Sequence, residues 1–383
     1  MTHKKKLSIL IYSLAGGGAE RVVSILLNEL KDKFNITLVL MNDTILYDIP
    51  NKLKIIYLEN SNPNESGIKK LIKLPILGLK YKKICKDNNI DISLSFMNRP
   101  NYINIISKLF GNKIKIIISE RAMPSLQHKI GLQGKINIFL ITCLYHHADI
   151  ITANSLGNSL DLKNNFAINN ILTISNPVDI KQILKLSKEN IILKKEKFTF
   201  ITIGRLDRGK NHQLVINAMK DIDAKLYIIG DGELKNELEN QIKKLKLEKN
   251  IFLLGYQENP YKYLVKADCF IFSSNNEGFP NVLLEALSCG LPIISTDCQS
   301  GPREILAPKS DLSFRLKDNI EKVEYGILTP INDKENLTKS MNLMINNDKL
   351  FNRYKLDSRI RASDFNKDQV IAKFIKIIEG SKC

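Results

Sequence analysis

The sequence predicts an α/β protein of two domains, each built on a parallel sheet. Three observations carry that prediction. Short runs rich in Ile, Leu, Val and Phe recur along the chain, each bounded by turn residues and followed by a helical pattern. This is how buried parallel strands alternating with helices read. Glycines and polar clusters fall at the C-terminal ends of several of these runs, the edge at which open parallel sheets bind ligands. The series then restarts at Phe198–Ile203 after the lysine-rich stretch 181–197, in a chain of 383 residues, long enough for two cores rather than one. The expected division is 1–180 for the first domain and 190–360 for the second, with a terminal helix over about 361–383 packing back on the first.

The first strand is Leu7–Ser13. It runs into Ala15-Gly16-Gly17-Gly18-Ala19-Glu20-Arg21 and a helix marked by Val22, Val23, Ile25, Leu26, Leu27 and Leu30. Glycines between strand and helix let backbone amides approach a phosphate or a sugar. A tight packing turn is the competing reading, since the triplet is not the dinucleotide pattern G-x-G-x-x-G. Strands over 36–41 and 53–58 follow. Residues 68–86 then hold seven lysines and no acid, with Pro75 interrupting apolar positions at helical spacing. Such a basic amphipathic segment reads as a membrane-surface element, with Lys69, Lys70 and Lys73 as candidate anion contacts. The alternative is an ordinary surface helix with its apolar face in the core. The strand over 90–96 ends in Met97-Asn98-Arg99-Pro100-Asn101, and that over 113–119 ends in Glu120-Arg121. Arg99 and Arg121 are phosphate candidates, because a guanidinium binds phosphate bidentately. Glu120 is a candidate acid or base, or a partner in a local ion pair. His146 and His147 lack the further ligands a metal would need.

In the second series, Gly204-Arg205-Leu206-Asp207-Arg208-Gly209-Lys210-Asn211-His212 follows the first strand and opens a helix. Arg205 and Lys210 beside a helix start form a candidate diphosphate clamp. Two further strands end in Gly230-Asp231-Gly232-Glu233 and in Gly255-Tyr256. The strand over 267–273 leads into Asn275-Asn276-Glu277-Gly278-Phe279-Pro280-Asn281-Val282-Leu283-Leu284-Glu285. The helix expected to start at about Phe279 to Leu283 offers backbone N–H groups to an anion. With about 3.6 residues per turn, Glu277 in the loop and Glu285 two turns down can face one ligand at two depths. Asp221-Ile222-Asp223 is formally a D-x-D metal motif, but it precedes a strand instead of ending one and is read as solvated surface.

The net charge of +17 is uneven, with +12 in residues 1–190 and +5 in the rest. A basic half points to a polyanionic partner: an anionic membrane, phosphates or nucleic acid. The bland alternative is a Lys- and Asn-rich composition. A single-strand nucleic-acid binder would interleave aromatics with basic residues on a platform, and no such pattern is present. The six cysteines have no metal spacing and read as reduced and cytosolic. The basic leader over residues 1–6 is followed by only a strand-length apolar run, which is not a signal peptide. No apolar run approaches the roughly 20 residues of a membrane span.

The run from Glu277 to Glu285, continued by Ala286-Leu287-Ser288-Cys289-Gly290-Leu291-Pro292, resembles the signature of glycosyltransferase family 4. Gly204-Arg205-Leu206 with Lys210, and the loop Gly16 to Arg21, stand where that family has them. The resemblance spans most of the chain. It implies the GT-B fold: two Rossmann-like domains with parallel sheets facing across a cleft, the donor nucleotide held mainly by the second. It implies retaining sugar transfer with no cofactor and no bound metal. Arg205 and Lys210 would neutralise the departing diphosphate in place of a metal. Glu285 would accept hydrogen bonds from the ribose. Glu277 would lie at the donor sugar, either as a nucleophile or as an orienting ligand. Gly16, Gly17, Gly204, Gly230, Gly255 and Tyr256 would line the donor site, together with the backbone of Gly278, Phe279, Pro280, Asn281, Val282 and Leu283. Gly17, Gly18, Arg21, Lys69, Lys70, Lys73, Arg99, Glu120 and Arg121 would serve the acceptor and its lipid diphosphate.

Tyr47-Asp48-Ile49-Pro50, Ser61-Asn62-Pro63-Asn64-Glu65-Ser66-Gly67 and Phe96 to Tyr102 resemble bacterial N-acetylgalactosaminyltransferases that extend undecaprenyl-diphosphate-linked glycans. Within these the resemblance is to the step that adds an α-1,3-linked GalNAc to N,N'-diacetylbacillosamine. It implies a UDP-GalNAc-type donor, a polyprenyl-diphosphate-linked acceptor, and a role in protein N-glycosylation or in O-antigen or capsule assembly. It also implies a cytoplasmic protein, peripheral on the anionic inner face of the membrane, with no nucleic-acid partner. The alternatives are a transferase using UDP-GlcNAc, UDP-Gal or GDP-Man, and a UDP-GlcNAc 2-epimerase-like enzyme.

Overall fold

The structure is a computed structural model that describes residues 4–60, 65–191, 193 and 196–380. The Ser61–Asn64 part of the Ser61–Gly67 motif, residues 1–3 of the basic leader, parts of the lysine-rich stretch 181–197 and residues 381–383 lie outside the described residues. The chain divides into two compact units, Met1–Pro177 with Lys367–Cys383, and Val178–Asn366. The second unit begins ahead of its first strand. Val178 and Ile183, the latter on helix Ile180–Leu186, are buried in the same apolar cluster as Tyr261, Leu284 and Phe365.

The first unit holds seven strands: β1 (Lys6–Ile11), β2 (Asn35–Leu40), β3 (Lys54–Tyr57), β4 (Ile92–Phe96), β5 (Lys115–Glu120), β6 (Ile150–Ala153) and β7 (Ile171–Thr173). They form one parallel sheet in the order β3-β2-β1-β4-β5-β6-β7. Leu7, Ile9, Leu10 and Ile11 of β1 are all fully buried, as expected of a strand with helices on both faces. On one face, helix Gly18–Leu30 buries Val22, Val23, Leu26, Leu27 and Leu30, an apolar stripe at helical spacing. The terminal helix Lys367–Glu379 joins that layer through Val370, Ile371, Phe374, Ile377 and Ile378. Lys367 pairs with Glu29 at 2.5 Å, and Lys115 Nζ donates to the Ile377 carbonyl at 2.6 Å. The second contact places a cation at the negative end of the helix. This helix starts later than the expected 361, because helix Asp348–Ser363 runs on to Ser363 and the chain turns over Asp364–Asn366. On the other face, the 68–86 segment is two helices, Gly67–Ile72 and Leu74–Asp87. Pro75 sits in the first turn of the second, where its missing N–H costs no hydrogen bond.

The second unit repeats the plan with β8 (Thr199–Ile203), β9 (Lys225–Ile229), β10 (Ile251–Leu253), β11 (Cys269–Phe272), β12 (Ile293–Thr296), β13 (Glu321–Lys322) and β14 (Ile327–Thr329). The order is β10-β9-β8-β11-β12-β14-β13, parallel except for the edge strand β13. In each sheet the chain fills one side of the first strand and then crosses to the other. The strand order therefore reverses between β1 and β4 in one unit and between β8 and β11 in the other. Open α/β sheets bind ligands at such reversals, outside the carboxyl ends of the strands.

Candidate active site

In the second unit the reversal is flanked by the loop from Gly204 to Asn211, after β8, and the loop from Ser273 to Pro280, after β11. Lys210 and Glu277 join them in an ion pair, Nζ to Oε1 at 2.5 Å. Both side chains are largely buried, 24% and 14% exposed. Lys210 Nζ also lies 5.6 Å over the Phe272 ring, a favourable cation–π position. Backbone contacts lock the loops together. Ser273 Oγ donates to the Lys210 carbonyl at 2.8 Å, and the Asn275 N–H donates to the Gly209 carbonyl at 2.8 Å.

Asp207, for which the sequence offered no role, organises the first loop. One of its oxygens accepts from the Lys210 N–H at 2.9 Å, and the other accepts from Arg205 Nε at 2.7 Å. Arg205 itself is 76% exposed. The structure thus places the two cations differently, with Lys210 inside and against Glu277, and Arg205 on the rim. Asn211 adopts a left-handed conformation, φ +51°, and the helix begins at His212. His212 is buried, and burial pushes its imidazole down to about 4. The ring is therefore neutral near pH 7.

Gly230 shows why the strand ends meet so closely. It has φ +145°, and a Cβ there would lie 1.9 Å from the Gly204 carbonyl oxygen. Its N–H donates to the Gly255 carbonyl at 2.9 Å. The ends of β8, β9 and β10 are thus stitched backbone to backbone, and Tyr256 projects from this edge, exposed. Around the second loop, Ser300 Oγ donates to the Gly278 carbonyl at 2.7 Å. Phe279 is turned into the core, edge-on to Phe365 at 5.6 Å. The helix starts at Asn281, after Pro280, within the expected stretch. Val282 is half-buried, Leu283 is in the core, and Glu285 is buried on the same helix. Asp221 and Asp223 form ion pairs with Lys334 and Lys197 ahead of β9.

The first unit gathers its own set. Gly16, at φ +104°, turns the chain beyond β1. Gly17 precedes the helix that Gly18 opens, and Tyr47 braces the turn. The Tyr47 hydroxyl donates to the Gly17 carbonyl at 3.1 Å, and its ring lies 5.5 Å from the Arg21 guanidinium. Beyond β4, Met97 has φ +71° and ψ +162°, a region that only glycine enters without strain. Its N–H donates to the Ser119 carbonyl at 3.0 Å, and its carbonyl accepts from the Asn101 N–H at 3.0 Å. Strain of this kind gathers at functional sites, and nothing in the local sequence marks it. Arg99 pairs with Glu59 at 2.5 Å. Arg121 is turned inward: it is buried, donates to Asn176 Oδ1 at 2.6 Å and lies 5.5 Å over the Phe96 ring. In this structure it braces strand ends. Lys70 lies over the Tyr12 ring, Lys73 pairs with Glu65 at 2.5 Å, and Lys69 is exposed.

Glu120 is buried, and burial holds its carboxyl above the usual range. Its oxygens accept from the Tyr145 hydroxyl at 2.7 Å and from the N–H groups of Arg121 and Ala122 at 2.9 and 3.3 Å. With the Asn98 amide oxygen accepting from His128 Nε2, the Asn98 NH2 lies 3.2 and 3.1 Å from the two carboxyl oxygens. All of these partners donate. Replacing Glu120 with Gln would turn an NH2 group toward the Tyr145 hydroxyl and the Asn98 amide. We expect this to cost about 1–3 kcal/mol of stability, read as a lower urea midpoint at unchanged slope.

Residues 185–361 match the family model for glycosyl transferases group 1. An N-acetylgalactosamine-N,N'-diacetylbacillosaminyl-diphospho-undecaprenol 4-alpha-N-acetylgalactosaminyltransferase of Campylobacter jejuni is 42% identical over 381 residues, 98% of this chain and 100% of the relative. An uncharacterized glycosyltransferase of Methanocaldococcus jannaschii is 36% identical over 80% of this chain and 84% of its own length. Among solved structures, the Anabaena protein HepE, crystallised with UDP and glucose, superposes with a TM-score of 0.77 at 18% identity, covering 98% of this chain and 100% of its own. The chain belongs to the group 1 glycosyltransferases and is a hexosyltransferase, its two Rossmann-like units being those of the GT-B fold.

Proposed function

We propose that the protein transfers a GalNAc-type sugar from a UDP-sugar to a glycan carried on undecaprenyl diphosphate, with retention of configuration and without a bound metal. The observation that carries the reading is the Lys210–Glu277 pair across the strand-order reversal. A donor diphosphate entering there would draw Lys210 from Glu277, with Arg205 closing from the rim. Fixed cations aimed at the leaving diphosphate stabilise charge that grows in the transition state. Glu277, released from the lysine, would accept from the sugar hydroxyls, and Glu285 from the ribose. The Campylobacter relative's name supports the sugar and the carrier. That name gives a 4-alpha linkage onto a carrier glycan ending in GalNAc, which supports an acceptor one residue further along than the α-1,3 step.

Membrane contact has separate support. Ile72, Ile76 and Leu79 are exposed on the two lysine-rich helices, and Ile130, Leu132 and Phe139 on and before helix Gly131–Leu144. Gly67 packs against the Gln133 side chain, so these helices adjoin. Neither 66–86 nor 121–148 contains an acidic residue. Among the described residues no helix is long and apolar enough to cross a membrane. An apolar surface ringed by lysines suits an anionic bilayer interface. Changing the exposed Lys69, Lys80 and Lys83 to Gln should weaken binding to phosphatidylglycerol vesicles by about 100-fold. Unchanged co-sedimentation would remove this part of the reading.

The deciding experiment is a donor panel of UDP-GalNAc, UDP-GlcNAc, UDP-Gal and GDP-Man against GalNAc-diNAcBac-diphosphopolyprenol. It is run with and without EDTA, and the product anomer is read by NMR. Preference for UDP-GalNAc, an α product and EDTA-resistant turnover are expected. Conversion of UDP-sugar without acceptor would instead mark an epimerase.

A further inference from the structure

Asn98 stands between two groups with opposite demands. It opens helix Asn98–Leu109 directly after the strained Met97, at the carboxyl ends of β4 and β5. On one side is the Glu120 carboxylate, whose oxygens accept and whose other contacts, the Tyr145 hydroxyl and the N–H groups of Arg121 and Ala122, all donate to it. That side takes the Asn98 NH2, at 3.2 and 3.1 Å. The Asn98 oxygen is left to face His128 Nε2, and it can only accept. This fixes the tautomer of His128, with the proton on Nε2 and the lone pair on Nδ1. Burial also pushes the imidazole below its ordinary value, so the ring is neutral near pH 7.

Nδ1 is not spent inside the protein. The ring is half-buried and has no other hydrogen-bond partner among the described residues, and Nδ1 is not sealed from solvent. The backbone around it is held from two sides. The His128 N–H donates to the Pro124 carbonyl at 3.0 Å, at the end of helix Pro124–Gln127, and the Ser125 N–H ties that helix to Asp161 at 3.1 Å. The His128 carbonyl packs so closely on helix Gly131–Leu144 that it leaves no room for a Cβ at Gly134. A fixed, neutral acceptor at a ligand edge selects for hydroxyls. A phosphate oxygen brought to Nδ1 would set one lone pair against another, whereas a sugar hydroxyl donates.

We propose that His128 Nδ1 accepts a hydrogen bond from a hydroxyl of the acceptor's terminal sugar, with Asn98 and Glu120 as the positioning residues that hold the ring in the required tautomer. The inference rests on the reading of the protein as a transferase to a carrier-linked glycan. With the donor read onto the Lys210–Glu277 pair of the second unit, a hydroxyl at the ligand edge of the first belongs to the acceptor.

The test uses the full chain, UDP-GalNAc, GalNAc-diNAcBac-diphosphopolyprenol and two variants. His128→Gln keeps an N–H for Asn98 and removes the acceptor at Nδ1. His128→Asn keeps an acceptor oxygen near the place of Nδ1 and gives up the reach to Asn98. His128→Gln should raise the acceptor KM about tenfold, the worth of one hydrogen bond. His128→Asn should stay within about threefold of wild type, and the UDP-GalNAc KM should hold within about twofold in both. A wild-type acceptor KM in His128→Gln overturns the inference. So does an acceptor KM weakened as much or more in His128→Asn, since the ring would then act only through Asn98. A rise in the UDP-GalNAc KM in place of the acceptor KM assigns the hydroxyl to the donor and also overturns it. Failure of the wild type to transfer to this acceptor overturns the transferase reading and the inference with it.

Discussion

Replacing Lys210 with alanine is expected to lower kcat about 10²- to 10³-fold, the usual consequence of removing one preorganised donor from a site of growing negative charge. The structure gives the substitution a second consequence. Glu277 is 14% exposed and its carboxylate faces Lys210 at 2.5 Å. Deleting the lysine leaves a largely buried anion where the donor diphosphate is proposed to bind. UDP affinity should therefore fall together with turnover. Glu277→Gln separates the two roles. It leaves Lys210 free for phosphate, so UDP should bind at least as well as to wild type, while turnover falls through loss of the sugar contact. The two positions touch, so their effects should not add. Isothermal titration with UDP, beside steady-state kinetics on the single and double variants, checks both statements. Full activity in Lys210→Ala would refute the assignment of the site.

The second large effect is expected at Gly230. Alanine there must hold φ near +145° and place its Cβ 1.9 Å from the Gly204 carbonyl oxygen. Both penalties fall on backbone, which cannot rotate aside as a side chain can. A cost of about 3 kcal/mol corresponds to a fall of roughly 6–12 °C in melting temperature for a unit of this size. Because the displaced atom belongs to Gly204, the Arg205 loop should shift and activity should fall more than about tenfold, since a 1 Å misplacement can cost about 10² in rate. Gly255→Ala is the control. Gly255 also has positive φ, +68°, but nothing lies within 4 Å of its Cβ position. It should lose only the conformational part, about 1 kcal/mol of stability. Equal losses at the two positions would show that backbone conformation, and not close approach, makes glycine necessary at Gly230.

Much of this site was legible in the chain because the relevant signals are local. Strand runs ending in Gly204, Gly230 and Gly255 announced a ligand edge, since a glycine after a buried strand speaks for close approach whatever packs on it. Lys210, Glu277 and Arg205 were named from residue type and loop position. Contacts that depend on distant partners were passed over. Arg121 donates to Asn176, 55 positions away, a contact that no local signal announces. Asp207 and Tyr47 bear no mark of their work, because each stabilises a loop through backbone atoms that any sequence would supply.

The sequence by itself determined the alternation of strand and helix, the two-fold repetition of that pattern, and the chemical character of the loops, because periodicity, turn chemistry and charge are properties of neighbouring residues. The tertiary structure alone decided that Lys210 and Glu277, 67 positions apart, meet as a pair. It alone decided that Arg205 stays on the rim, that Met97 is strained and that His212 is buried behind the loop. Strand order sets these outcomes. Placing β11 beside β8 brings two loops from remote parts of the chain to one crevice, and that choice is made by the packing of whole layers, not by any single stretch of residues.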